Sequence, residues 1–371
     1  MNKLKFKKRL LSGLRRKLDQ RSGIMLLVVL WMLVILTVLS VSLGRNTNIE
    51  LALTKHAIAQ AKAKYYAFAG IEFSKNLIRL DSKDKQSLSS DNLYSCAVPN
   101  LSGISPEGLF KRNEMGSGYF SVRHEVDDDH SQEHSRQYYG LSDEDGRINI
   151  NALDKNTVSI LRELIVLKGF DRDVANTVAF SAVDWVDSDT IVFDESYGAE
   201  DDHYSSLDKP YHCKNLSLDS KEEMLLIRGM TPEIFNEIKD NITIFPKNGR
   251  LLVNFDTASA EVLLSIARSV AGGSTNAELS DADSAVEKLI AFRKGDDGLE
   301  ATEDDKLYDL NKISLNAKEK SVLMSISRYR SKRSDYINVN VVGVEKKNNI
   351  QSKINAVIYR NDLSLVYWNR S

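Results

Sequence analysis

The stretch Arg21–Leu43, RSGIMLLVVLWMLVILTVLSVSL, decides how the rest of the chain is read. From Ile24 to Leu43 it holds no charged residue in 20 positions. As a helix rising 1.5 Å per residue it is about 30 Å long, enough to cross a hydrocarbon core. Thr37, Ser40 and Ser42 are its polar exceptions, and a helix satisfies such hydroxyls on its own carbonyls. Upstream, residues 1–23 carry nine Lys/Arg against Asp19 alone, a net +8. A flank of that sign stays cytoplasmic and sends the residues after Leu43 across the membrane. The 371-residue chain nets −2, so the other 348 residues carry −10, which disfavours a basic nucleic-acid binder. With 42% apolar and 27% charged residues, the chain as a whole is neither disordered nor multi-spanning.

Three readings fit this segment: a plain signal anchor, a secretory peptide cut near Ser40-Val41-Ser42, and a prepilin-type leader. The apolar run is longer than the ~7–15 residues of a signal-peptide core. A long basic leader, then Gly23, then a long apolar helix resembles the type IV prepilin leader, cut after Gly23 so that Ile24 begins the mature chain. Where pilins usually have Glu at the fifth mature position, this chain has Val28. An unpaired carboxylate in a bilayer costs several kcal/mol, so Val28 suits a subunit at a filament tip, with nothing above it to pair. Leu51, Ile58, Tyr65, Tyr66, Ala69, Phe73, Leu77 and Leu80 recur at helical spacing, which predicts one helix from Ile24 to about Leu80 with that stripe facing a globular head.

Residues 81–117 read as loop. Tyr119–Val126 alternates as a strand, and a DEDG turn at Asp143–Gly146 follows a second strand. Amphipathic helices are predicted over 157–167, 173–186, 221–228, 232–239, 259–270, 283–293 and 317–327. Tyr336–Glu345, Ile350–Tyr359 and Leu363–Trp368 then form an antiparallel meander. That order is an α+β fold: a pilin-like long N-terminal helix packed on an antiparallel sheet, with a large all-α domain of helix-hairpin-helix or SAM-like type inserted between strands. The boundaries are a leader at 1–23, a membrane helix at 24–43, pilin-like parts at 44–147 and 331–371, and the insertion at 148–330. Within it, Gly146-Arg147-Ile148-Asn149-Ile150-Asn151 repeats as Gly249-Arg250-Leu251-Leu252-Val253-Asn254, each followed by an amphipathic helix. Glycine turns at Gly169 and Gly229 resemble helix-hairpin-helix turns that bind DNA phosphates. Asp171, Asp173, Glu233 and Glu237 flank them and oppose an anion, so no nucleic-acid partner is expected.

Asp184–Asp202 holds eight acids and no Lys or Arg, yet it is interrupted by Trp185, Ile191, Val192, Phe193 and Tyr197. A loop with those apolar residues folds onto a core, and carboxylates gathered there repel unless a cation joins them. Ca²⁺ accepts six to eight oxygens in flexible geometry, so it fits better than zinc, for which His203 and His212 are the nearby nitrogens. Gly295–Asp305 is a second acid-rich candidate; a solvated loop explains it equally well. Cys96 and Cys213, outside the cytoplasm, leave a disulfide open. No GxSxG, HExxH or Walker motif is present, and no catalytic residue is assigned.

Together RSGIMLLVVLW (21–31), GLSDEDGRININAL (140–153), AVDWVDSD (182–189), GAEDDHY (198–204), PYHCKNL (210–216) and the Gly295–Asp305 loop resemble the minor pseudopilin K family of the bacterial type II secretion system. The resemblance implies cleavage by prepilin peptidase after Gly23 and methylation of Ile24. It implies a single-pass inner-membrane protein with a cytoplasmic N-terminus and a periplasmic head at the tip of a pseudopilus. Minor pseudopilins I and J, the inner-membrane assembly platform and secreted substrates would be its partners. It implies structural calcium on Asp184, Asp187, Asp189, Glu200 and Asp201, with Asn215 as a further ligand, and by likeness to the major pseudopilin on Asp297, Asp304 and Asp305. The runner-up is a membrane-anchored helix-hairpin-helix protein that binds DNA in an uptake system.

Overall fold

The computed structural model describes residues 3–83, 91–98, 104–126, 136–271 and 276–370, without the side chains of 3–22, 46, 125, 126 and 136. The chain divides into two compact units, residues 1–61 and 62–371. Helix α1 (Lys3–Asp81) supplies all the described structure of the first unit and opens the second. In the first unit the side chains from Ile24 to Leu43 are at least half exposed wherever they are large and apolar, and this stretch passes the length and composition test for a membrane span with a mean hydropathy of 3.0. Such a surface needs lipid or other helices around it. Thr37 Oγ1 donates to the Val34 carbonyl at 2.8 Å, so that hydroxyl costs the bilayer nothing.

In the second unit α1 lies on the sheet through small residues. Ala63, Ala67, Gly70 and Ser74 are buried, with Ile71, Leu77 and Ile78. A Cβ on Gly343 would stand 2.2 Å from the Ala63 carbonyl oxygen, and one on Gly70 would stand 2.4 Å from Val341. The helix therefore approaches the strands too closely for large side chains. The stripe expected from sequence holds in part: Leu77 is buried and Tyr66, Ala69 and Phe73 pack against the core, but Tyr65 is 70% exposed and Leu80 50% exposed.

The stretch expected as loop contains α2 (Pro106–Phe110) and β1 (Asn113–Met115). Next come β2 (Gly118–Val126), β3 (Arg136–Tyr139) and β4 (Ser142–Asp143). After the helical stretch the chain returns as β9 (Tyr336–Glu345), β10 (Ile350–Tyr359) and β11 (Leu365–Arg370). The sheet runs β1-β2-β9-β10-β11, with β3 on β2 and β4 on β9; every pairing is antiparallel. Its inner face, with Phe120, Val122, Val339, Val341, Ile354 and Ala356, forms one core with α1.

Between β4 and β9 in the chain come β5 (Ile148–Asn149), α3 (Val158–Leu167), α4 (Arg172–Val186), α5 (Asp201–Ser205), α6 (Pro232–Ile238), β6 (Ile242–Thr243), β7 (Val253–Asn254), α7 (Ala260–Val270), α8 (Leu279–Arg293), α9 (Ala317–Ile326) and β8 (Arg330–Ser331). Their apolar faces fill a second core. The stretch is not purely helical: β5 pairs β6 and β7 pairs β8, both parallel. Each copy of the sequence repeat carries one of these strands but out of register by two positions, so that Asn149 and Asn254, not aligned in the repeat, are the pair that match: each is buried and accepts the amide two residues on, at 3.0 and 3.1 Å.

The DEDG turn sits where the chain leaves the sheet and comes back. Asp143 Oδ2 accepts from Thr257 Oγ1 at 2.6 Å and Asn254 Nδ2 at 3.0 Å, Glu144 Oε2 from Asn338 Nδ2 at 3.0 Å, and Asp145 Oδ2 from the Asp335 amide at 2.6 Å. Nearby, fully buried Arg360 joins Asp81 at the end of α1 to Asp91, donating to Asp91 Oδ2 at 2.6 Å. Both cysteines are free: Cys96 packs in the sheet core and Cys213 against the helical core, so the open disulfide is not formed.

Candidate metal centre

The loop after α4 is built around Asp184. On the last turn of the helix and fully buried, it accepts from the Phe193 amide at 2.9 Å through Oδ1 and from the Ala199 amide at 2.7 Å through Oδ2. One side chain thus fixes two points of a returning loop. Gly198 is required there, since a Cβ would lie 2.3 Å from Asp184 Oδ2. Phe193 stacks on Phe180 at 5.0 Å, Ser181 Oγ donates to the Tyr197 carbonyl at 2.9 Å, and Arg228 Nη1 donates to the Gly198 carbonyl at 2.7 Å. The apolar interruptions noted in the sequence are what seat the loop. Beneath it Trp185, Tyr204 and Tyr211 pack with centroids 5.0–6.2 Å apart.

This scaffold brings Asp187, Asp189 and Glu200 together, with one carboxylate oxygen of each within 4.8 Å of the others. Asp187 caps the C-terminus of α4, and Glu200 stands at the N-cap of α5 without capping it by its side chain. Asn215, at φ +48°, donates to the Asp189 carbonyl at 2.8 Å and so is tied to the same spot. Asp187 Oδ1, both Glu200 carboxylate oxygens and Asn215 Oδ1 are buried and accept no N–H or O–H, with the Cys213 thiol beside Glu200. Leaving such acceptors unpaired costs on the order of 1–3 kcal/mol each, more when charged. The electrostatics agree. Burial, then the Asp184 and Asp187 charges, push Glu200 up to about 7. Burial and then Asp189 raise Asp187, and burial first of all raises Asp184 to about 6. Four orphaned oxygens on Asp187, Glu200 and Asn215, beside the Asp189 carboxylate, form a donor set for a hard divalent cation.

Among the described residues this is the one such group of three or more. Asp201 lies outside it, accepting from His212 Nδ1 at 3.0 Å and from the Cys213 amide at 2.9 Å. The Gly295–Asp305 loop closes on itself. Asp304 accepts from the amides of Asp296 at 2.6 Å and Asp297 at 3.1 Å and from Thr302 Oγ1 at 2.8 Å, and these bonds, the Thr302 hydroxyl first, hold it down at about 2. Asp297 accepts from the Leu299 amide at 2.8 Å, and Asp305, raised to about 6 by burial, from the Ala301 amide at 2.9 Å. The sequence reading missed Arg228 as the tether of the first loop and α5 as its far wall; DDHY at 201–204 was the available helix signal. Gly23, in α1, has open space around its Cβ position.

Residues 146–247, which contain the whole 184–215 constellation, match the family model described as Type II secretion system (T2SS), protein K. Type II secretion system protein K of Aeromonas hydrophila is 24% identical over 247 residues, covering 65% of this chain and 69% of that protein. The protein of the same name from Pectobacterium carotovorum subsp. carotovorum is 22% identical over 251 residues, covering 64% and 67%. Among solved structures, the crystal structure of the GspK-GspI-GspJ complex from the enterotoxigenic Escherichia coli type 2 secretion system contains a chain of the same fold. The match has a TM-score of 0.58 at 16% identity, and covers 86% of this chain and 99% of that one.

Proposed function

We infer that this chain is a minor pseudopilin of the type II secretion system, of the protein K kind, sitting at the tip of a short pseudopilus. The observation that carries this is the protein K match at 146–247, within a chain that shares the fold of the solved complex and opens with an exposed apolar helix. The DNA-binding alternative draws no support from the matches, and its glycine turns are flanked by acids.

The mechanism is mechanical and assigns no catalytic residue. Prepilin peptidase cuts after Gly23 and methylates Ile24. The apolar helix waits in the inner membrane, with the head in the periplasm, until the assembly platform extracts it and lateral helix packing replaces lipid. Val28 in place of Glu suits the topmost position, since no subunit above offers an amine. Pseudopilins I and J are its neighbours. We read 148–330 as an inserted domain too wide for the filament body, so that it caps the tip, initiates assembly and meets secreted proteins. Asp187, Asp189, Glu200 and Asn215 would hold calcium, which neutralises their repulsion and fixes the loop after α4; Asp184 acts by holding that loop in place. The test is reconstitution: co-expressed with pseudopilins I and J of its own system, the protein should purify in one stable 1:1:1 complex. Failure to associate at micromolar concentration would overturn the assignment.

A further inference from the structure

A calcium ion at the centre described above would leave one nucleophilic side chain beside it unused, the thiol of Cys213. This residue is clasped between the two elements that carry the carboxylates. Its amide donates to Asp201 Oδ1 at 2.9 Å, at the start of α5. Its Sγ lies 3.7 Å from the Asp184 carbonyl oxygen, on the last turn of α4. The sulfur is also within hydrogen-bonding reach of the Glu200 carboxylate. Glu200 is 4% exposed and neither of its oxygens accepts an N–H or O–H, so the thiol stands beside a buried carboxylate that still needs a partner. The amides of Lys214 and Asn215 donate toward the sulfur, with Asn215 in the left-handed region at φ +48°. Amide hydrogens aimed at a sulfur favour its thiolate, as the outer shell of a metal-bound cysteine does.

Calcium has no use for that sulfur. A hard cation takes oxygens, and Asp187, Asp189, Glu200 and Asn215 supply them. A divalent cation of the zinc group, zinc or cadmium, takes thiolate together with carboxylate and needs only about four ligands. The sulfur stands outside the group of three carboxylates that gather within 4.8 Å, on the Glu200 side, so Glu200 is the residue both kinds of cation share. Asp187 Oδ1 is the other buried carboxylate oxygen without a partner. Cys96 offers no rival thiol, being 2% exposed in the core of the sheet.

Taking the cation site assigned above as given, we propose that Cys213 and Glu200 give it a second binding mode, in which a zinc-group cation is held by thiolate and carboxylate, with Asp187 as a further oxygen ligand. Binding replaces the S–H bond of Cys213 by a sulfur–metal bond and releases that proton to solvent, so no oxidant or reductant takes part. Because Glu200 serves both modes, the zinc-group ion displaces calcium and does not bind beside it.

The full chain in detergent micelles, reduced and then freed of reductant and metal, is titrated with cadmium chloride while the ultraviolet band of thiolate-to-cadmium charge transfer is followed. A saturable band is expected, with a midpoint that rises when calcium is added in excess. Cys213→Ser should abolish the band and weaken zinc binding, read by competition with a chromogenic zinc indicator, at least about tenfold. The same variant should keep the full calcium response of the melting temperature. Glu200→Gln keeps the thiol and should weaken cadmium at the sulfur about tenfold. A missing band, a midpoint indifferent to both calcium and Glu200→Gln, or zinc affinity unaltered in Cys213→Ser would overturn the second mode while calcium binding stands. A parent that binds neither calcium nor cadmium would overturn the cation site and this mode with it.

Discussion

Chelation of divalent cations should both destabilise the head and change how its stability depends on pH. A site that binds only the folded protein adds about 2.7 kcal/mol at a free calcium level a hundredfold above Kd. At about 2–4 °C per kcal/mol for domains of this class, a chelator should lower the melting temperature by roughly 5–10 °C. The pH dependence follows from Glu200, which is 4% exposed and pushed up to about 7 by burial and by its acidic neighbours. Its folded pKa lies above its ordinary value of 4.5. The chelated folded protein therefore keeps a proton that the unfolded chain releases, and its stability falls as pH rises from about 4.5 to about 7. For an isolated group the loss is on the order of 3 kcal/mol. Calcium affinity should weaken as pH falls below about 7, because the proton and the cation compete for the same oxygens. Glu200→Gln separates the effects: above pH 7 the chelated variant should be more stable than the chelated parent, and the variant should lose most of its response to calcium. Differential scanning calorimetry over pH 5–8, with and without chelator, reads all of this. A parent insensitive to chelator, or a Glu200→Gln variant responding to calcium as fully as the parent, refutes the site.

Arg360→Met leaves Asp81 and Asp91 buried without their cation and should cost about 3–5 kcal/mol in urea unfolding; a loss under about 1 kcal/mol would contradict the buried junction. Gly343→Ala places a Cβ against the α1 backbone at Ala63 and Ala67, which should cost about 1–3 kcal/mol, and an unchanged unfolding midpoint would contradict the close approach. Thiol labelling of the unfolded, unreduced protein should modify both Cys96 and Cys213; recovery of a labelling-resistant pair would reinstate the disulfide.

The parts legible in the sequence were those set by local periodicity. Alternation over Tyr336–Glu345 and Ile350–Tyr359 returns as two strands paired in register along their full length. The helix seeds at 157–167, 173–186 and 259–270 return within a residue or so at each end. The losses depend on distance in the chain. The buried face of α1 was only half legible: Tyr66, Ala69, Phe73 and Leu77 do pack on the core, whereas Tyr65 and Leu80 face out and the close approach of Gly343 selects Ala63, Ala67 and Gly70. Asp91 read as one more polar loop residue, since its partner Arg360 is 269 residues away. The acidic loop was found by composition, yet composition cannot distinguish Asp184, whose oxygens hold amides, from Glu200, whose oxygens accept no amide. Nor does it separate the open 187–200 cluster from the self-closed loop at 295–305, where neighbouring amides already satisfy the carboxylates.

Cleavage after Gly23, leaving the apolar helix at the start of the mature chain, is what separates a pseudopilin from a plain signal anchor. Mass spectrometry of the N-terminal peptide of the protein, extracted from membranes of a cell with an active prepilin peptidase, tests it most directly. A chain beginning at N-methylated Ile24, with residues 1–23 and their +8 charge gone, is the expected result. An intact leader, or a mature start near Leu43, would contradict it.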